Sequence, residues 1–379
     1  NFPNSESGLN INLDEFKDDD LLKILFNESP GIIFQTDKKG KEKLIDNNVE
    51  FVSLGNTIKE RKLNIKFKKK YLSLDIDHFR DSWYHNSFLM DTEQTINNKS
   101  LERFNNYKNQ PLKFKFPSDF NGIFPIINFK KEMKAAVIRE KGINSEREMA
   151  YMLNLSGFKV KDVHMTDLVS GRETLEDINM LVFPGGFSNS DVLGSAKGWA
   201  GAFKFNEKAK KTIQGFYKKE NTLSLGVCNG CQLMMELDLL YQNQKENHPK
   251  MEHNYSNKFE CTFSSIDILK SNSIMLNNLE GTTLGIWSAH GEGKFNFKDQ
   301  KVNIAAKFHY DGYPANPNGS ELSAAAICSE DGRHIAIMPH LERSIFPWNW
   351  AHYPKERNDK ISPWILPFYN ARKWLEENA

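Results

Sequence analysis

From Met133 onwards, short apolar runs alternate with amphipathic stretches. The apolar runs have the length and the β-branched content of strands, and the stretches between them repeat their apolar residues at helical spacing. Strands that alternate with helices predict an α/β fold with a mostly parallel, doubly wound sheet. The predicted strands are residues 134–139, 160–165, 178–183 and 222–227, and the predicted helices are residues 145–156 and 198–217.

The hydrophobic pattern changes on either side of this α/β region. Residues 259–339 alternate apolar and polar positions more strictly, which predicts additional antiparallel strands. Residues 1–105 have a mixed pattern that predicts a smaller α+β portion. Its predicted helices are residues 18–27 and 79–96, and its predicted strands are residues 31–36, 51–58, 63–67 and 71–76.

The segment between these two portions has little periodicity. Residues 106–132 are rich in asparagine, lysine, phenylalanine and proline, which predicts an extended linker that packs on a surface through its phenylalanines. The chain is therefore predicted to have three parts. They are an α+β domain at residues 1–105, a linker at residues 106–132 and an α/β domain at residues 133–379.

Composition adds limits to this picture. The 379 residues, 39% hydrophobic and 26% charged, suffice for two or three domains of an ordinary globular protein. The net charge of +1 gives no bulk field for nucleic acid or a membrane surface, and no apolar run reaches the roughly 20 residues that span a bilayer. Four cysteines in a chain of this length indicate a reducing, cytoplasmic setting. Because the chain begins at Asn1 without a methionine, we expect a piece of a longer protein.

The candidate chemistry centres on Cys228. The predicted strand at residues 222–227 ends directly before it, and a helical apolar run follows from Asn229. Gly226 and Gly230 stand two residues on either side, which permits a sharp turn and a close approach of substrate. The free N–H groups at the start of the following helix favour a thiolate. This pattern predicts an activated cysteine nucleophile on a strand–turn–helix.

A cysteine nucleophile requires a base, an orienting group and an oxyanion hole. His340 directly follows a predicted strand, and Glu342 stands two residues further along the chain. If this segment stays extended, both side chains point to the same side, so that Glu342 orients His340 towards the cysteine. The predicted oxyanion donors are the backbone N–H groups of Gly186, in a Gly-Gly loop after another strand, and of Asn229.

Other roles for these residues stay open at this point. Cys228 and Cys231 form a C-x-x-C, which is typical of a redox pair or of half a zinc site. Cys261 and Cys328 are isolated, so a second half of a zinc site is missing, whereas a redox pair is harder to exclude. His290, in a Ser-Ala-His-Gly-Glu-Gly stretch, could be a general base, a loop residue near the substrate or a structural histidine.

Several motifs occur in the order that they have in a known family. Residues 134–375 resemble class I, triad-type glutamine amidotransferases, and more narrowly the glutaminase domain of the phosphoribosylformylglycinamidine synthase family. Residues 25–35 resemble the end of an aminoimidazole-ribonucleotide-synthetase-like domain in the single-chain form of that family. The motifs are Gly185-Gly-Phe-Ser188, Gly226-Val-Cys-Asn-Gly-Cys-Gln232, Ser288-Ala-His-Gly-Glu-Gly293, residues 313–320 and Met338-Pro-His-Leu-Glu-Arg343.

The resemblance implies glutamine hydrolysis that supplies ammonia to a synthase. Cys228 would form a glutamyl thioester, His340 would shuttle protons and Glu342 would orient His340. A synthase portion of the same enzyme would use ATP and the ammonia to convert formylglycinamide ribonucleotide to formylglycinamidine ribonucleotide in purine biosynthesis. ATP and magnesium are expected in that missing portion, and no cofactor or metal is expected in this chain. The residues expected to form the oxyanion hole or bind substrate are Gly185, Gly186, Phe187, Asn229, Gln232 and His290.

Two departures from the family pattern concern loops of the predicted site. Asn189 and Ser190 replace the usual aromatic residue and glycine, and Leu341 replaces the usual proline between the histidine and the glutamate. Leucine is freer in φ than proline, so the geometry of the histidine–glutamate pair is less fixed in advance. We expect neither departure to abolish activity.

Two other functions remain as alternatives. A redox or stress protein of similar topology would form a reversible Cys228–Cys231 disulfide and would not need Glu342. A non-catalytic regulatory module would dock on a synthase without hydrolysing glutamine.

Overall fold

The computed structural model describes residues 7–109, 112–241 and 248–379. Residues 1–6 of the predicted first domain and residues 110–111 of the predicted linker lie outside the described residues. The chain divides into two compact units, Asn1–Asp91 and Thr92–Ala379. None of the described helices is long and apolar enough to cross a membrane.

The first unit is a small α+β fold. Its strands are β1 (Gly8–Asn12), β2 (Gly55–Ile58), β3 (Lys62–Phe67) and β4 (Lys70–Asp75), and its helices are α1 (Leu21–Leu25), α2 (Lys38–Asp46) and α3 (Ile76–Thr92). The strands form one sheet in the order β2-β1-β3-β4, in which β1 and β3 are parallel and the other neighbours are antiparallel. Leu13, Ile65 and Phe67 form its buried core.

Some predictions for this unit are wrong. Residues 31–36 form no strand, and the side chains of Ile32 and Ile33 are 89% and 85% exposed. A strand requires a neighbour whose backbone groups pair with its own, and an apolar run carries no information about that neighbour. The predicted strand at residues 51–58 is reduced to β2. The polar helix α2 was not predicted, because it lacks an apolar stripe.

The second unit contains most of the chain. Its strands are β5 (Lys134–Arg139), β6 (Lys159–His164), β7 (Met180–Phe183), β8 (Leu223–Val227), β9 (Lys250–Glu252), β10 (Glu260–Ile268), β11 (Thr283–His290), β12 (Lys294–Asn296), β13 (Asn303–Phe308), β14 (Ala324–Cys328) and β15 (His334–Ile337). Its helices are α4 (Lys99–Asn106), α5 (Glu146–Leu155), α6 (Met165–Ser170), α7 (Lys197–Phe205), α8 (Glu207–Tyr217), α9 (Asn229–Glu236) and α10 (Leu366–Asn378).

The large sheet of this unit confirms the α/β class, but it is mixed rather than mostly parallel. Its strand order is β11-β10-β13-β14-β15-β8-β7-β5-β6. Four pairs of neighbours are parallel, namely β15-β8, β8-β7, β7-β5 and β5-β6. The other four pairs are antiparallel, namely β11-β10, β10-β13, β13-β14 and β14-β15. The strands β10 to β14 follow one another without crossover helices, and parallel neighbours would need such crossovers. The second half of the domain therefore extends the sheet in antiparallel fashion, as its alternating pattern predicts.

The predicted helix at residues 198–217 is two helices. α7 ends at Phe205, and α8 begins at Glu207 after a break at Asn206. The Asn206 side chain accepts a hydrogen bond from the Ala209 N–H at 3.0 Å, which caps α8. A local side-chain bond of this kind competes with a continuous helix and leaves the apolar periodicity almost unchanged.

Residues 92–105 pack with the second unit, although the hydrophobic pattern groups them with the first. In α4, Arg103 contacts the buried Glu260 carboxylate at 2.8 Å, and Glu102 accepts a hydrogen bond from the Tyr313 N–H at 2.7 Å. The following linker packs through its phenylalanines, as predicted. The Phe114 and Phe116 rings lie 5.0 Å and 5.8 Å from the Trp350 ring, and further aromatic side chains surround them.

Candidate active site

Cys228 occupies a strained turn between β8 and α9. Its backbone has a φ of 52° and a ψ of −108°, a region that is costly for a residue with a side chain. Its N–H donates to the Ile337 carbonyl of β15 at 2.9 Å, which fixes the turn against the neighbouring strand. Glycine is needed beside the turn, because a Cβ on Gly226 would lie 2.6 Å from the Gly230 carbonyl oxygen. The turn is thus the strand–turn–helix that the sequence pattern predicts.

His340 follows β15, which is the parallel neighbour of β8. Ile337 pairs with Val227, so the ends of the two strands carry His340 and Cys228 to the same edge of the sheet. His340 Nδ1 lies 2.6 Å from Glu342 Oε1, and both side chains are buried. The short spacing in sequence brings His340 and Glu342 together, and the pairing of β15 with β8 brings this pair to the same edge of the sheet as Cys228.

The side chains of Cys228, His340 and Glu342 meet in one cluster. Cys228 interacts electrostatically with the imidazole, and since Glu342 occupies Nδ1, Nε2 is the ring nitrogen that remains for Cys228. Gly185 packs against both partners, because a Cβ there would lie 2.6 Å from His340 Cε1 and 3.2 Å from Cys228 Cβ. Cys228 Sγ also lies 3.6 Å from the Ala289 carbonyl oxygen. The structure thus brings together the three residues that the sequence assigns to catalysis.

The charges in this cluster support one another. Burial acts to lower the pKa of His340, but the negative charges of Glu342 and Cys228 outweigh it and raise the pKa to about 10. Burial acts to raise the pKa of Glu342, but the neighbouring imidazolium outweighs it and holds the pKa below its usual value. Glu342 Oε2 has no hydrogen-bond partner in the described chain. The histidine is therefore the principal partner that compensates this buried carboxylate.

The backbone N–H groups around the nucleophile differ in availability. The Gly185 N–H is occupied, since it donates to Ser145 Oγ at 2.8 Å. The N–H groups of Gly186 and Asn229 make no hydrogen bond to the described part of the chain. Asn229 is the first residue of α9, where N–H groups have no partner within the helix. The amides of Gly186 and Asn229 are thus available to a ligand, and the Gly185 amide is not.

The side chains of Asn229 and Gln232 join the loops around the turn. Asn229 Oδ1 accepts from the Ser188 N–H at 3.2 Å, and its Nδ2 donates to Gln232 Oε1 at 2.9 Å. Gln232 Nε2 donates to the Glu292 carbonyl oxygen at 2.8 Å. Asn229 also donates to Asp191 at 3.3 Å, and burial raises the pKa of that carboxyl. This bracing role of Asp191 was not predicted from the sequence, although Asp191 lies only five residues after Gly186.

Phe187 and His290 occupy contrasting environments. Phe187 is exposed, and its ring centroid lies 5.9 Å from that of Phe259. His290 is buried, and its Nδ1 has no hydrogen-bond partner within the described residues. Burial and the charge of His340 lower the pKa of His290 to about 3, so that it is uncharged at neutral pH. A base this weak is poorly matched to proton abstraction near pH 7, which disfavours a general-base role for His290.

The C-x-x-C does not have the properties of a redox pair. Cys228 and Cys231 are both free thiols, and Cys231 is buried inside α9. Burial raises the pKa of the Cys231 thiol well above its ordinary value, and the charge of Cys228 raises it further. Redox-active thiols are ordinarily accessible and have a lowered pKa. Among the described residues, no group of three histidine, cysteine or acidic side chains could hold a metal ion.

The fold and the site together define an α/β protein with a cysteine–histidine–glutamate cluster at the ends of two parallel strands. Residues 132–375 match the family described as CobB/CobQ-like glutamine amidotransferase domain. Because this match covers most of the chain, the chain belongs to that family. The comparison confirms the resemblance that the sequence motifs indicate.

Relatives of known name point to one enzyme. The chain is 39% identical to an Arabidopsis thaliana protein named probable phosphoribosylformylglycinamidine synthase, chloroplastic/mitochondrial, over 94% of this chain and 27% of that protein. It is 34% identical to the human phosphoribosylformylglycinamidine synthase over 95% of this chain and 30% of that protein. The chain thus spans less than a third of the length of these relatives. Among solved structures, PurLQS from Thermotoga maritima matches with a TM-score of 0.51 at 24% identity, covering 65% of this chain and 100% of that one, which supports the fold.

Proposed function

We propose that this chain hydrolyses glutamine to glutamate and ammonia. The Cys228 thiolate attacks the carbon of the side-chain amide, and the carbon–nitrogen bond breaks to release ammonia. Water then hydrolyses the glutamyl thioester, which releases glutamate and restores the thiolate. The observation that carries this proposal is the cluster of Cys228, His340 and Glu342 in a chain of the glutamine amidotransferase family.

His340 moves the protons in this scheme. Its pKa of about 10 means that it holds a proton at neutral pH. It donates this proton from Nε2 to the leaving nitrogen, which lets ammonia depart. The neutral imidazole then takes a proton from the water that attacks the thioester. Glu342 fixes the tautomer and orientation of His340 throughout.

The tetrahedral intermediates carry a negative oxygen that needs hydrogen-bond donors. The free N–H groups of Gly186 and Asn229 are the proposed donors, and the start of α9 adds partial positive charge. Removal of one such donor costs roughly 3 kcal/mol of transition-state stabilisation in comparable sites. Phe187 is proposed to contact the substrate from its exposed position, while Gln232 holds the loop beside the turn.

The ammonia is proposed to serve a synthase portion of a longer protein. The named relatives support this proposal, since the match covers only 27% and 30% of their length. In that portion, ATP and magnesium would support conversion of formylglycinamide ribonucleotide to formylglycinamidine ribonucleotide in purine biosynthesis. The cytoplasm is the proposed compartment, on the basis of the free cysteines.

A glutaminase that feeds a distant site would waste glutamine if it were always active. We therefore expect slow glutamine hydrolysis by this chain alone and faster hydrolysis when the synthase portion is supplied with its substrates. Equal rates in both states would contradict this coupling.

The test of the proposed function is the reactivity of Cys228. A diazo-ketone analogue of glutamine should label Cys228, and Cys228→Ala should lose glutamine hydrolysis. Cys231→Ser is the matched control, since it alters the other cysteine of the same turn and should keep most activity. Undiminished glutamine hydrolysis by Cys228→Ala would rule out the proposal. If the wild-type chain shows no turnover even with the synthase portion supplied, the non-catalytic alternative is favoured instead.

A further inference from the structure

Asn144 and Ser145, the two residues directly before α5, hold the loop that carries the Gly186 N–H. The Gly185 N–H donates to Ser145 Oγ at 2.8 Å. The Gly185 carbonyl oxygen accepts from the backbone N–H groups of Asn144 and Ser145 at 3.1 Å and 3.3 Å. Both polar backbone groups of Gly185 are thus bound by one short segment, which fixes the peptide units on either side of it.

This arrangement sets the direction of the Gly186 N–H. The Gly185 carbonyl and the Gly186 N–H belong to one peptide unit, in which the C=O and N–H bonds point in opposite directions when it is trans. Since the carbonyl points towards Asn144 and Ser145, the N–H points away from them. No side chain would fit at this position, because Gly186 has a φ of 156° and a Cβ there would lie 2.5 Å from Ile143 Cα.

The Ser145 hydroxyl serves this loop rather than its own helix. Ser145 is the N-cap residue of α5, a position where a serine side chain ordinarily accepts a hydrogen bond from the first turn. Ser145 makes no such capping bond, and its hydroxyl accepts a hydrogen bond from the Gly185 N–H instead. The side chain is fully buried, so solvent does not compete for this bond.

The same segment is tied to the turn that carries the base. Arg343 directly follows Glu342, and its Nη2 donates to Asn144 O at 3.0 Å and to Asn144 Oδ1 at 2.9 Å. Asn144 and Ser145 therefore connect the histidine–glutamate turn to the Gly185–Gly186 loop. The two halves of the site therefore share one brace, formed by Asn144 and Ser145.

We propose that Ser145 is a positioning residue that aims the Gly186 N–H at the oxyanion of the reaction. This inference rests on the proposed glutamine hydrolysis. The Ser145 hydroxyl accepts from the Gly185 N–H at 2.8 Å and donates to the Gly185 carbonyl oxygen at 3.4 Å. Ser145→Ala removes both bonds and keeps the backbone bonds to Gly185, so the loop stays in place but its peptide units are held less tightly. Because the oxyanion forms only during the reaction, the loss should fall on kcat rather than on KM.

The experiment compares Ser145→Ala with Ser156→Ala in the chain supplied with its synthase portion. Ser156 is also buried, at the other end of α5, and its hydroxyl makes no hydrogen bond within the described residues. For Ser145→Ala we expect kcat for glutamine to fall about 10- to 100-fold, less than the loss of a whole donor, with KM changed less than about threefold. For Ser156→Ala both constants should stay within about twofold of wild type.

A second reaction separates positioning from general damage. Alkylation of Cys228 by iodoacetamide displaces iodide and develops no oxyanion, so Ser145→Ala should react within about twofold of the wild-type rate. An equal fall in alkylation and in kcat, or an unchanged kcat, would overturn the proposal. Ser145→Cys provides a weaker acceptor of similar size, should lie between wild type and Ser145→Ala, and serves as the test if the alanine variant does not fold. An inactive wild type would instead contradict glutamine hydrolysis itself.

Discussion

A methyl group added to Gly185 tests the geometry of the candidate site directly. The new Cβ would lie 2.6 Å from His340 Cε1, which is about 0.8 Å short of the 3.4 Å at which ordinary contact begins. The backbone of Gly185 is not in the left-handed region, so alanine itself adds no strain of φ. The effect of Gly185→Ala should therefore come from the displaced side chains.

The size of the effect follows from how tightly His340 is held. The imidazole is buried and hydrogen-bonded to Glu342 at 2.6 Å, so it cannot retreat without loosening that bond or its contact with Cys228. A misplacement near 1 Å costs on the order of 100-fold in rate. Overpacking of this kind costs about 1–3 kcal/mol of folding free energy, so the domain should still fold.

The matched control is Gly215→Ala. A Cβ on Gly215 would meet no atom within 4 Å, and the residue lies inside α8, where alanine stabilises by roughly 0.5–1 kcal/mol. Glutamine hydrolysis, iodoacetamide labelling of Cys228 and thermal unfolding would be measured for both variants. We expect Gly185→Ala to lose about 100-fold in hydrolysis and Gly215→Ala to match wild type. A folded Gly185→Ala protein with wild-type hydrolysis would refute the close packing of Gly185 on His340 and Cys228.

Three further predictions concern charge, backbone strain and acid stability. Glu342→Gln should lower glutamine hydrolysis by about 10³- to 10⁴-fold with little change in fold, and a loss under tenfold would contradict its orienting role. Ser190→Gly should raise the free energy of unfolding by about 1 kcal/mol in denaturant titrations, because Ser190 has a φ of 56°; a destabilised variant would argue against that strain. Burial lowers the pKa of His334 to about 4, so the unfolded chain takes up the proton first and stability falls as the pH drops from 6.5 towards 4. His334→Asn should lose less stability than wild type between pH 7 and 4.5, and equal losses would contradict the assignment.

The parts of the site that depend on local sterics were predictable from sequence. A strand that ends at a cysteine flanked by glycines needs a sharp turn, and the structure places Cys228 at a φ of 52° with the glycines in tight contact. The pair of His340 and Glu342 was predicted for an extended segment, whereas Leu341–Arg343 forms a short 3₁₀ helix that still brings the two side chains within 2.6 Å. In each case the interacting groups are near in sequence, so few conformations compete.

The parts that depend on distant strands were not predictable in the same way. The hydrophobic pattern marks β8 and β15 as strands, but nothing in the pattern states that these two are parallel neighbours. The same limit explains the wrong strand at residues 31–36, where an apolar run has no partner strand in the described chain. It also explains why the pattern does not reveal the contact of α4 with Glu260, since that contact crosses a long stretch of sequence. The pairing of strands depends on two segments of the chain, whereas the hydrophobic periodicity is read from one segment alone.

The surroundings of Cys228 and Cys231 also depend on the fold and distinguish a nucleophilic from a redox role. From sequence, Cys228 and Cys231 are equivalent members of one motif, and a redox role cannot be separated from a nucleophilic one. In the structure, one helical turn separates a cysteine that faces an imidazole from a cysteine that faces the core. Burial raises the pKa of the Cys231 thiol well above its ordinary value, which opposes a thiolate there, whereas Cys228 lies beside the imidazole of His340. A disulfide between them would require Cys231 to leave the core, so the packing of α9 favours nucleophilic over redox chemistry.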